Sequence, residues 1–250
     1  ASIPMTTPGS GLVVESLTVS RGRKGVVHGV NLRCAPGEIV GLIGPNGAGK
    51  STTFHALVGL VACRADALTL NGQDLSRLAM FQRARRGLGY LPQEPSGFHG
   101  LSVRNNLRAV MEIAVEQAAR ERLLGGLLHD FDLEDVATQR SETLSGGQRR
   151  RLEIARTMAS RPQVVLLDEP FAGVDPISIE GLQTAIRGIR DSGVAVLITD
   201  HNVRDTLELV DRAVLIDRGT VLIEGTPAEI TSDETARNRY FGERFNYERP

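Results

Sequence analysis

The residue types best suited to chemistry stand together at Gly44-Pro45-Asn46-Gly47-Ala48-Gly49-Lys50-Ser51. The spacing is G-x-x-x-x-G-K-[ST], a phosphate-binding loop when a strand precedes it and a helix follows. Glycines let the backbone curl until its N–H groups converge on phosphate oxygens. The partial positive charge at a helix start adds to the attraction. Lys50 is a mobile point charge able to reach the β- and γ-phosphates, and the Ser51 hydroxyl is a ligand for Mg²⁺. Of 29 basic residues only Lys24 and Lys50 are lysines, so a chain that otherwise uses arginine has put one of its two lysines here. With Thr52, at the head of the helix, these residues are the candidate nucleotide-binding set.

A second group closes the apolar run Val164-Val165-Leu166-Leu167, which ends in Asp168-Glu169-Pro170. Hydrolysis of a nucleoside triphosphate needs a phosphate cradle, a metal ion, a positioned water and charge stabilisation at the γ-phosphate. Asp168 is a candidate metal ligand, directly or through water. Glu169, where the strand stops, can turn towards the γ-phosphate and polarise the attacking water. Leu144-Ser145-Gly146-Gly147-Gln148 puts a Ser and two glycines at a helix start, another set of N–H donors for phosphate. One chain does not need two cradles for one γ-phosphate.

These groups require particular elements around them. Glu38-Ile39-Val40-Gly41-Leu42-Ile43 reads as the buried strand feeding the phosphate loop, and Thr53-Phe54-His55-Ala56-Leu57-Val58 continues the helix after it. Residues 12–19 and 26–32 have strand character on either side of a polar turn. Leu68-Thr69-Leu70 before Asn71-Gly72 reads as a strand end with a tight turn, so the opening of the chain is partly antiparallel. Gly87-Leu88-Gly89-Tyr90-Leu91-Pro92-Gln93 is a short strand ended by proline. From Val103 to about Leu133 the apolar spacing becomes three and four, a helical stripe with an expected break at Gly125-Gly126. The runs at 164–168 and 194–199 are apolar throughout, as in strands buried on both faces of a parallel sheet. Asp217-Arg218-Gly219 turns a hairpin, and Thr226-Pro227-Ala228-Glu229 is a capping box that starts a helix.

The bulk numbers exclude several classes. The chain has 250 residues, 41% hydrophobic and 24% charged, which is ordinary for a globular protein. A net charge of −1 implies no broad attraction to nucleic acid or anionic lipid. Arg149-Arg150-Arg151 follows the second glycine cradle and reads as the start of a helix with solvated or paired charges, not as a nucleic-acid patch. Cys34 and Cys63 form no C-x-x-C pair and suggest a reducing compartment. No apolar run approaches the length that crosses a bilayer. Residues 1–11, rich in Pro, Ser, Thr and Gly, read as a loose tail and not as a signal peptide.

Taken with residues 44–51, the 144–148 stretch closely resembles the ABC-type ATPases, in which the second cradle is offered to the ATP of a partner subunit. Five motifs stand in that family's order: the phosphate loop, Gln93, residues 144–148, residues 164–169 and His201. The resemblance implies an α/β fold, a P-loop NTPase core of mixed, largely parallel sheet with an antiparallel β subdomain, and a helical ABC subdomain. It implies one domain over residues 12–245, with core parts at about 12–93 and 160–230 and the helical insertion at about 94–159. It also implies ATP and Mg²⁺ as cofactors. Ser51, Gln93 and Asp168 would then serve the metal, Glu169 and His201 catalysis, and Ser145, Gly146, Gly147, Gln148 and Asp175 the ATP of the partner chain in a homodimer. Arg21 occupies the position where the family usually stacks an aromatic residue on adenine. A guanidinium plane can stack on a base, and a solvated Arg in a turn is the plainer alternative, so ATP over GTP rests on the resemblance alone.

Within the family, Tyr90-Leu91-Pro92-Gln93-Glu94, the 167–177 run, Ile198-Thr199-Asp200-His201-Asn202-Val203 and Tyr240-Phe241-Gly242-Glu243 look like the ATPases of lipopolysaccharide export. The ATPases of branched-chain amino-acid importers are close relatives, and soluble ABC scaffolds or regulators are a third class. The export resemblance implies two transmembrane permease subunits (LptF/LptG-like), no nucleic acid, and a cytoplasmic, peripheral position on the inner membrane. Phe98 would then receive the membrane partner's coupling helix; its alternative is a core phenylalanine.

Overall fold

The apolar runs pair into two sheets. The computed structural model describes residues 10–22, 24–242 and 245; most of the expected N-terminal tail therefore lies outside the described residues. The strands in chain order are β1 (Leu12–Arg21), β2 (Lys24–Cys34), β3 (Ile39–Ile43), β4 (Ala67–Leu70), β5 (Gln73–Asp74), β6 (Leu88–Leu91), β7 (Val164–Asp168), β8 (Ala195–Thr199), β9 (Arg212–Asp217) and β10 (Thr220–Gly225). One sheet is antiparallel, in the order β2-β1-β4-β5. The other runs β10-β9-β3-β8-β7-β6, parallel except for the edge strand β10. Gly11, assigned from sequence to the tail, is buried, and its N–H donates to the Asn71 Oδ1 at 2.6 Å.

The parallel strands are buried on both faces, as their unbroken apolar runs require. Ile39, Ile43, Val165, Leu167, Val196 and Ile198 face one core, which the helices cover. Val40, Leu42, Val164, Leu166, Ala195 and Leu197 face a second core, shared with the antiparallel sheet and helix α1 (Lys50–Val58). Alternate residues of one strand thus divide between two cores, because side chains on a strand point alternately to opposite faces.

After α1 comes the short α2 (Met80–Arg85), then α3 (Val103–Ala114), α4 (Gln117–Asp130) and α5 (Gly146–Met158), followed by α6 (Pro176–Asp191), α7 (Val203–Leu209) and α8 (Pro227–Ser232). The expected break at Gly125-Gly126 is not there. α4 runs through both glycines, which face solvent, while Leu124, Leu127 and Leu128 are buried. Packing of those leucines outweighs the roughly 1 kcal/mol that each glycine costs in a helix. The chain breaks instead at Val115 and Glu116, between α3 and α4. Both expected tight turns are present, with Asn71 and Gly72 at φ 48° and 76°, and Arg218 and Gly219 at 47° and 81°.

Parallel strands end at one edge of the sheet. β3, β8, β7 and β6 are neighbours, so the segments that leave them converge: the phosphate loop, the turn to His201, Asp168-Glu169 and the Gln93 loop. Ligands of open α/β sheets bind at this carboxyl edge.

Candidate active site

Residues 44–49 curl between β3 and α1. Gly44, Gly47 and Gly49 take φ values of 154°, 80° and 107°, and a Cβ at Gly44 would stand 2.2 Å from the Ile216 carbonyl oxygen. Only glycine fits that close approach. The loop is tied down by an Ala48 N–H to Pro45 carbonyl bond of 3.1 Å and by the Gly219 N–H, which donates to the Ala48 carbonyl at 2.8 Å. No side chain caps the start of α1, and no acidic residue lies in its first turn. By contrast, α5, α6, α7 and α8 are capped by Ser145, Asp175, Asn202 and Thr226. The N–H groups at the head of α1 therefore remain available to an anion. Lys50 is buried, and its Nζ donates to the Gly44 and Pro45 carbonyls at 2.7 and 3.2 Å. Burial lowers its pKa, opposed by the Glu169 and Asp168 carboxylates. Ser51 follows, half-buried, and Thr52 is buried.

Glu169 is 5% exposed, and its φ of 51° is left-handed, unusual for a non-glycine residue. That backbone aims the carboxylate sideways off the end of β7. Its Oε1 lies 2.6 Å from His201 Nε2, and its Oε2 accepts from Gln93 Nε2 at 2.7 Å. Three residues from three loops thus meet on one carboxylate. Asp168, beside it, is buried; its Oδ2 accepts a long bond of 3.4 Å from the Tyr90 hydroxyl, and its Oδ1 has no partner. Burial raises the Asp168 pKa, and the Glu169 charge raises it further. An unpartnered buried carboxylate oxygen is costly unless a cation meets it, so this donor set fits a divalent ion. A backbone cradle, a buried ammonium, an unsatisfied carboxylate and a carboxylate held between His and Gln can together bind a triphosphate and direct water at its end.

Comparison with known proteins agrees with this chemistry. The family described as ABC transporter matches residues 27–172. The chain belongs to the ABC transporter family. It is an ATP-binding subunit, and its reaction is ATP hydrolysis coupled to transport. A "Probable ABC transporter ATP-binding protein" of Azorhizobium caulinodans is 49% identical over 243 residues, 97% of this chain and 86% of the relative. The "Lipopolysaccharide export system ATP-binding protein LptB" of Escherichia coli K12 is 49% identical over 227 residues, 90% of this chain and 94% of that protein. Among solved structures, an ATP-binding subunit of an ABC transporter superposes with a TM-score of 0.77 at 30% identity, covering 88% of this chain and 92% of its own.

The remaining candidates of this ABC ATPase occupy other faces. Ser145 and Gln148 form a reciprocal capping box at the head of α5. Gly146 and Gly147 press on the Asp175 segment, where a Cβ at Gly147 would stand 2.6 Å from the Ser178 side chain and one at Gly146 3.0 Å from the Gly173 carbonyl oxygen. Ser145, Gly146 and Asp175 are exposed, so these candidates form one outward-facing patch. Asp175 caps α6, with its side chain accepting from the Ser178 N–H at 3.0 Å. Arg21 is exposed at the end of β1. Phe98 is 51% exposed, so it is not a core residue; the Arg156 guanidinium lies 5.4 Å from its ring centre. Asn106, fully buried, brackets the Phe98 backbone, accepting from its N–H at 2.9 Å and donating to its carbonyl at 3.0 Å. Phe98, Met80, Ala84, Val110 and Arg156 line a cavity of about 350 Å³.

Two groups were not legible beforehand. Asp200 is buried and accepts from the Phe171 and Asn202 amides at 2.9 and 2.8 Å, fixing the turn that carries His201. Arg150, one of three arginines read from sequence as solvated or paired, is paired with Glu153 at 2.8 Å; what that reading missed is its burial, at 6% exposure, against the ends of β6 and β7. The only sequence signal was its place on a helix whose neighbours Leu152, Ile154 and Ala155 are core residues.

Proposed function

We propose that this chain is the ATPase of a lipopolysaccharide exporter. Two copies sandwich two ATP molecules head to tail and drive a pair of LptF/LptG-like permease subunits from the cytoplasmic face of the inner membrane. The observation that carries the catalytic half is the Glu169 carboxylate, held between Gln93 and His201 at 2.7 and 2.6 Å beside Lys50 and the phosphate loop. The transport assignment is supported by 49% identity to E. coli LptB over 94% of that protein.

In this reading the residue 44–52 amides grip the phosphates and Lys50 moves from the loop's own carbonyls to the β- and γ-phosphates. Glu169 accepts a hydrogen bond from the attacking water and draws its proton. His201, donating from Nε2, orients that carboxylate and faces the γ-phosphate. Ser51, Asp168 and Gln93 would hold Mg²⁺, which when bound neutralises charge between the phosphates. The segment of Ser145, Gly146, Gly147 and Gln148, with Asp175 beside it, closes on the partner's ATP through its exposed face at Ser145, Gly146 and Asp175. Phe98 and its cavity receive a coupling helix of the permease. In this reading those partners supply the channel; among the described residues no helix is long and apolar enough to cross a membrane.

Affinity capture of the tagged chain from native membranes tests the assignment. The expected companions are two permease subunits of the lipopolysaccharide-export kind. Recovery of an amino-acid permease would replace it with the importer reading, and stable capture without any membrane protein would favour a soluble regulator.

A further inference from the structure

Arg150 spends all five of its N–H donors inside the protein. Nε donates to the Pro170 carbonyl at 3.0 Å, Nη1 to the Pro92 carbonyl at 3.3 Å and to Glu153 Oε2 at 2.8 Å, and Nη2 to the Asp168 and Glu169 carbonyls at 3.1 and 2.8 Å. No other charged state is open to it, since a guanidinium stays protonated in proteins. Two features of this arrangement matter. First, the fork grips both sides of the Gln93–Glu169 contact: Pro92 is the residue before Gln93, and the Glu169 carbonyl is bonded directly. The Glu169 N–H is held at the other end by the Thr199 carbonyl at 2.7 Å. The residue with the left-handed backbone is therefore clamped fore and aft, which is what keeps such a conformation in place.

Second, Arg150 is the fifth residue of α5, and the head of α5 is the exposed Ser145-Gly146 end. A helix moves as a stiff rod over so short a span. A guanidinium is planar, so its bonds fail when the fork shifts by about an ångström relative to its acceptors. Any tilt of the exposed end must therefore carry the Pro92 and Asp168–Pro170 backbone with it or break the fork.

We propose that Arg150 is a positioning residue that sets the Glu169 carboxylate of its own site according to whether α5 is seated on the partner subunit's nucleotide. The inference rests on the ATP-sandwich reading. It makes Arg150 the physical link by which occupancy of one site is felt at the other.

Mixed dimers test it. One protomer is left intact while the other carries Lys50→Ala, and ATP is held between the two affinities, so that the intact site fills while the site that the first protomer's α5 would meet stays largely empty. With Arg150 present in the intact protomer, hydrolysis at its own site is expected to fall at least tenfold when the opposite site is emptied. With Arg150→Lys in that protomer, fluorescent-ATP binding should stay within about threefold of the parent, the rate should already be low, and emptying the opposite site should change it by less than twofold. Lysine keeps the charge but cannot span the four carbonyls, so charge alone would not rescue. If Arg150→Lys misfolds, R150Q/E153Q replaces the buried ion pair by two neutral amides, isosteric at residue 153 and shorter at residue 150, and the same loss of dependence is expected. Persistence of the tenfold dependence in either variant overturns the inference, as does a rate loss matched by an equal loss of ATP binding. Failure of the parent chain with Glu169→Gln to dimerise on ATP would instead overturn the sandwich reading.

Discussion

Replacing Glu169 by glutamine isolates the charge of one side chain. The side chain is 7% exposed, so solvent does little to screen what is removed. Glutamine has the same shape and the same backbone preference, so the cost of holding φ at 51° is common to both chains and cancels. Its amide can still be satisfied: with its carbonyl kept on the Gln93 N–H its NH2 faces His201 Nε2 as acceptor, and in the opposite orientation the Gln93 amide rotates to accept while His201 donates. The fold is therefore expected to persist. Loss of the neighbouring charge also brings the Asp168 carboxyl back towards its ordinary range, since Glu169 is the second cause of that shift after burial. Metal and nucleotide binding should survive or tighten. Removal of a general base costs roughly 10²–10⁴ in rate, or about 3–5 kcal/mol of barrier at 1.36 kcal/mol per tenfold. Light scattering with ATP and Mg²⁺ should then show a persistent dimer, while phosphate release drops at least a hundredfold. A variant that remains monomeric under those conditions, or that turns over within threefold of the parent, refutes the assignment of Glu169 and the closed dimer with it.

Three other outcomes are expected. Lys50→Ala removes a charge-assisted contact worth about 1.5–3 kcal/mol, so calorimetry should show ATP affinity lower by about tenfold to a hundredfold; unchanged affinity would remove the phosphate-loop assignment. Phe98→Ala should melt within a degree or two of the parent, because Asn106 and Ser141 hold that backbone independently of the ring, while permease co-purification is lost; a large drop in melting temperature would mean that the ring is structural. Asp168→Asn should raise stability without nucleotide at neutral pH. An acid whose folded pKa is raised binds more protons folded than unfolded, so it destabilises above its unfolded value of 3.8 and ceases to do so below it. Urea midpoints should show the variant's gain at pH 7 shrinking as the pH falls towards 3.8; a gain independent of pH would count against burial as the cause of the Asp168 shift.

What could be read from sequence was local. The 44–51 glycines, the hairpins at Asn71-Gly72 and Arg218-Gly219, and the cap at Thr226 each depend on a few adjacent residues whose own φ preferences or side-chain reach dictate the shape. The unbroken apolar runs of β3, β7 and β8 similarly announced a parallel sheet covered on both faces. Gly125-Gly126 misled because propensity is also local, and the leucines beside it answer to a core that the segment alone does not contain.

The rest was decided by the order β3-β8-β7-β6. Gln93, Glu169 and His201 are far apart in the chain, and only strand neighbourhood brings their loops to one carboxylate. Arg150 makes the same point more sharply. Three successive arginines differ by nothing in type, yet a helix turns about 100° per residue, and one of the three points into the carbonyls at the ends of two strands. Residue identity set which chemistry was available; the sheet and the rotation of α5 set which groups could touch.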